Sequence, residues 1–81
     1  MDKTANREFL QAQLTIGRWY IDRASDSRGD VRRRYLSLAR ETCELIERLS
    51  PTLNLDVEAR HEAARTLIVL RGHLDAVGDT R

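Results

Sequence analysis

Two polar breaks, Ser27-Arg28-Gly29-Asp30 and Ser50-Pro51, divide this chain into three long stretches that each repeat apolar residues at helical spacing. Glycine tolerates turn conformations; proline lacks an amide hydrogen and disfavours helical geometry in the residue before it. In the first stretch Leu10, Leu14, Gly17, Ile21 and Ala24 recur at steps of four and three, which stacks them on one helix face. Phe9, Ile16 and Tyr20 form a second row beside them. The second stretch repeats the pattern through Tyr35, Ala39, Thr42, Ile46 and Leu49, flanked by Leu36, Leu38, Cys43 and Leu45. The third carries Ala63, Leu67, Leu70, Leu74 and Val77, with Ala64 and Ile68 adjoining.

These rows predict helices over about residues 5–24, 30–50 and 56–77. Polar side chains between Ser27 and Asp30 are placed to cap the second helix, and Asn54 or Asp56 to open the third. Gly78 suits a left-handed closing position. A strand is the competing reading for Thr66-Leu67-Ile68-Val69-Leu70, but the helical row continues on both sides of that run. The connections are short, so neighbouring helices run antiparallel. The expected fold is all-α, a single helical domain over residues 1–81 built as an up-down-up three-helix bundle, with Leu53 and Leu55 covering one end of its core.

The chain's 81 residues bury a modest core, and domains of this size commonly lean on disulfides, a metal or a partner subunit. The single cysteine, Cys43, excludes an internal disulfide and fits a reducing, cytoplasmic setting. Charged residues occupy the N-terminal positions where the apolar core of a signal peptide would run, and the longest apolar run, Leu67 to Leu70, falls far short of a membrane span. Fourteen basic against thirteen acidic residues leave a net charge of +1, too little for a strong long-range pull on nucleic acid or anionic membrane. Association with a second copy is the expected support.

The stretch Leu67-Ile68-Val69-Leu70-Arg71-Gly72-His73-Leu74-Asp75 resembles the Gly-His-x-Asp segment of the dizinc exopeptidases related to aminoacylases and carboxypeptidases. In that family an apolar strand precedes a metal-binding histidine and a supporting aspartate, so the resemblance would imply a metal corner at His73 and Asp75. Helical spacing argues against it: His73 and Asp75 then lie about 200° apart, and His61 about 120° from His73. The family's later ligands have no counterpart in the residues after Asp75, and His61-Glu62-Ala63-Ala64-Arg65 lacks the second histidine of the metalloprotease helix motif. No metal site and no cofactor are expected.

Cys43 falls on the inner half of its helix, where a thiol behaves as a small apolar side chain. Neither a glycine-rich phosphate loop nor a nucleophile–base pair is present in the pattern, so no catalytic residues are expected. Glu41, Glu44 and Glu47 with Arg40 and Arg48 read as a solvated helix face. Arg28-Gly29-Asp30 spells an adhesive tripeptide, yet turn and capping chemistry account for it.

Two surfaces stand out. Trp19 lies opposite the Leu10 row, with Ala12, Phe9 and Ile16 leading round from it, and Val69 and Ala76 are placed similarly on the third helix. Large aromatics left outside a core mark contact surfaces; the alternative is that Trp19 covers the bundle edge. Arg23, Arg28, Arg32, Arg33 and Arg34 form a basic cluster at the first turn, suited to an anion but close to Asp22, Asp26 and Asp30. The reading is a non-catalytic helical protein-interaction module that forms a homodimer through Trp19, Ala12, Phe9, Ile16 and Val69. The alternative is a small nucleic-acid-associated regulator using the Arg28–Arg34 patch.

Overall fold

The computed structural model describes residues 3–79, and for Lys3 and Asp79 the backbone alone. Three helices, α1 (Lys3–Ser25), α2 (Gly29–Leu49) and α3 (Val57–Asp79), pack as an up-down-up bundle. A 3₁₀ turn at Ser50–Thr52 follows α2, with Pro51 inside it, so the helix stops where the proline requires. No strand occurs among the described residues, and the Leu67–Leu70 run is continuous helix.

The antiparallel course is set by two clusters of side chains. At one end Leu10, Ile46, Leu55, Ala59 and Ala63 pack together; at the other Ile21, Ala24, Leu36, Ala39, Cys43, Leu70 and Leu74 do so. Leu14 and Leu67 touch both clusters. Leu55 is buried and Leu53 packs beside it, closing the end of the core as the sequence predicts. Midway, Gly17 brings α1 close to its neighbours: a β-carbon there would lie 3.4 Å from Thr42 Cγ2 and 3.7 Å from Leu70 Cδ1.

The helix ends are held by side chains, though not always the expected ones. Asp56 Oδ1 accepts from the Ala59 amide at 2.8 Å, the first-turn cap anticipated for α3. At α2 the residue in the N-cap position is Arg28, in extended conformation, and no side chain caps the helix. Asp30 lies inside the first turn and pairs with Arg33. The Ser27 hydroxyl instead donates to Arg23 O at 2.7 Å, serving the C-terminus of α1. Gly29, at φ +59°, makes the turn that residues with a β-carbon resist.

Two further placements differ from expectation. Gly78 does not take a left-handed closing position, since α3 runs on through Asp79 and Gly29 is the positive-φ glycine of the described chain. Ile68 is 70 % exposed and Ala64 is also exposed: the predicted row of Ala63, Leu67, Leu70, Leu74 and Val77 faces the core and continues back to Ala59, but the positions adjoining it on that side turn to solvent.

Candidate functional site

The most distinctive surface lies where α1 and α2 meet near their connecting turn. Trp19 is 50 % exposed, yet its ring is not adrift: it meets Tyr20 edge-on at 5.5 Å between centroids and Tyr35 of α2 edge-on at 6.0 Å. Tyr20 and Tyr35 stand 6.4 Å apart and pack against the core, so the three rings form one cluster running from interior to surface. The Arg23 guanidinium lies over the Trp19 ring, 5.2 Å from its centroid, an arrangement that draws on the negative face of the indole. Ile16 at 40 % and Val31 at 55 % exposed extend the apolar surface along α1 and α2.

The remaining predicted contact residues divide between two faces. Phe9 is half-buried and Ala12 exposed on the side of α1 that carries Ile16. Val69 belongs elsewhere: with Leu14, Thr15, Arg18, Thr66, Leu70 and His73 it lines a groove of about 220 Å³ between α1 and α3. The Trp19 surface is therefore completed by α2, through Tyr35 and Val31, and not by α3.

The arginine cluster is largely engaged. Arg32 Nε donates to Ser27 O at 2.9 Å and to Ala24 O at 3.2 Å, serving one carbonyl in the connecting turn and one in the last turn of α1. Arg33 pairs with Asp30, and Arg23 covers Trp19. Arg28 and Arg34 are exposed, and Arg34 lines a shallow depression with Asp30, Val31 and Tyr35. Five cations close in sequence thus have different surroundings: Arg32 and Arg33 bond within the turn and the start of α2, Arg23 covers Trp19, and Arg28 and Arg34 are exposed.

Cys43 is fully buried among the core side chains, and burial pushes its thiol above the ordinary value of 9.0. Arg71 opposes that shift, while Glu47 and Glu44 add to it. A thiol kept protonated is a weak nucleophile. Gly72, His73, Leu74 and Asp75 all lie within α3, with Leu74 buried and His73 and Asp75 exposed; the apolar segment before them is helix where the exopeptidase family has a strand. Among the described residues no three His, Cys, Asp or Glu side chains are grouped to hold a metal ion, and no helix is long and apolar enough to cross a membrane.

Some structural residues gave little warning. Asn6 is buried and donates from Nδ2 to Asn54 O at 3.3 Å, tying the start of α1 to the α2–α3 connection. Its signal was a polar residue four positions before Leu10 on the core row. Glu47, read as part of a solvated face, reaches across to Arg71 of α3 at 2.7 Å. The chain matches no protein-family model, no curated protein and no solved structure.

Proposed function

We propose that this chain is a non-catalytic helical protein-interaction module that self-associates through the face shared by α1 and α2. The observation that carries the reading is the half-exposed Trp19, held edge-on to Tyr35 and continued by Ile16 and Val31. A rigid aromatic anchor within an apolar patch is the usual centre of a protein contact, and isologous pairing is the commonest way to cover one. A small three-helix core gains stability when such a face is buried, at about 25 cal/mol per Å² of apolar surface before association entropy is deducted. A cytoplasmic setting accords with this reading, since the chain's one cysteine is a buried free thiol.

The nucleic-acid reading has weaker support, because Arg23, Arg32 and Arg33 are occupied by Trp19, backbone carbonyls and Asp30. The test is solution mass by light scattering over a concentration series. Wild type is expected to form dimers, and Trp19→Ala to weaken them by about 2 kcal/mol or more, as loss of a central anchor does. A wild type that stays monomeric, or a Trp19→Ala variant with undiminished dimer, refutes the assignment.

A further inference from the structure

We infer that the second copy docks antiparallel, across a two-fold axis passing at Leu38, with Arg34 of each subunit paired to the partner's Glu41. The inference rests on the self-association reading and specifies its geometry. Along the outer side of α2, Val31, Arg34, Leu38, Glu41 and Leu45 follow one another at steps of three, four, three and four. That is the spacing of a coiled-coil seam, in which a helix keeps one row toward a partner helix. Val31, Arg34 and Glu41 are exposed, Leu38 and Leu45 are half-buried, and neither leucine belongs to the core clusters. The row lies on the Trp19 face, because Val31 and Arg34 share a depression with Tyr35, whose ring meets Trp19.

The row is nearly palindromic in chemistry about Leu38. Reversing it sets Val31 against the partner's Leu45, Arg34 against the partner's Glu41, and Leu38 against itself. Charged residues within an otherwise apolar seam fix register and orientation, since a misplaced partner leaves them facing an apolar or like-charged group. Parallel docking of the same face would bring α1 of one copy opposite α2 of the other. The Arg34–Glu41 pairs would then be lost, because α2 of one copy would no longer face α2 of the other. Opposite charge therefore selects the antiparallel arrangement.

Sedimentation velocity on wild type, Arg34→Glu, Glu41→Arg and the double variant tests the pairing, with circular dichroism to establish that each folds. Arg34 and Glu41 are two helical turns apart on their own chain, so only an intermolecular contact links them. Each single reversal is expected to weaken the dimer about tenfold or more, and the double variant to return it to near wild type. A double variant as weak as the singles, or singles that change nothing, overturns the arrangement while leaving self-association standing. A wild type monomeric into the millimolar range overturns both. As an independent readout, Leu38→Cys is expected to yield a disulfide-linked dimer under mild oxidation, since the axis brings the two positions together; a folded dimer that does not cross-link overturns the proposed axis.

Discussion

Arg32 reaches back eight positions to Ala24: from the second turn of α2 its Nε donates to the Ala24 carbonyl at 3.2 Å, and to Ser27 O at 2.9 Å. The end of one helix is thus closed by the beginning of the next. Helix C-termini leave carbonyls without intrahelical donors; here the Ala24 carbonyl accepts from the Ser27 amide at 3.1 Å and also from a charged donor on the neighbouring helix.

Substitution of this arginine should separate structure from surface charge. Arg32→Ala is expected to destabilise the fold by about 1.5–3 kcal/mol, the range for hydrogen bonds to charged groups. Arg33→Ala, which removes an exposed pair with Asp30, is expected to cost under about 1 kcal/mol. Urea unfolding followed by circular dichroism distinguishes them, and equal effects would refute the capping role of Arg32.

Cys43 predicts an alkaline limb. Burial favours the protonated thiol in the fold, so its contribution to stability is fully present below the unfolded value near 9.0 and is lost as pH rises through the raised folded value. Cys43→Ala is expected to lose stability at neutral pH through the small space it leaves, and to fall less steeply than wild type above pH 9.0. Parallel stability curves would refute the assignment. A thiol-labelling reagent is expected to react with the native chain only as it unfolds.

Ile68 supplies the control for the proposed face. It is 70 % exposed on α3, away from the α1–α2 surface. Ile68→Lys is expected to change stability by no more than about 0.5 kcal/mol and to leave the dimer unaltered. A substantial loss of association in this variant would move the contact surface to α3.

How far the sequence foretells these features depends on range. Leu10, Ile21, Ala39, Ile46, Leu70 and Leu74 all reach the interior because helical periodicity is local and the two breaks are unambiguous. Asp56 caps α3 for the same reason: the interaction spans three residues. The partners of Arg32 and Glu47 are not legible in this way, because Ala24 and Arg71 stand on other helices. The position of Val69 fails similarly. A helical wheel gives its direction, whereas its distance from Trp19 depends on how α3 is set against α1. The Trp19 surface is half legible: the wheel brings it outside, and only the packing of α2 reveals that Tyr35 supports it.

Leu14 and Leu67 join the two clusters of the interior. In thermodynamic language they help couple the two ends of the bundle, since each touches side chains at the end around Leu10 and Leu55 and at the end around Ile21 and Leu74. Truncating either leucine is expected to loosen both ends together, read as faster amide exchange around Leu10 and around Leu74 alike.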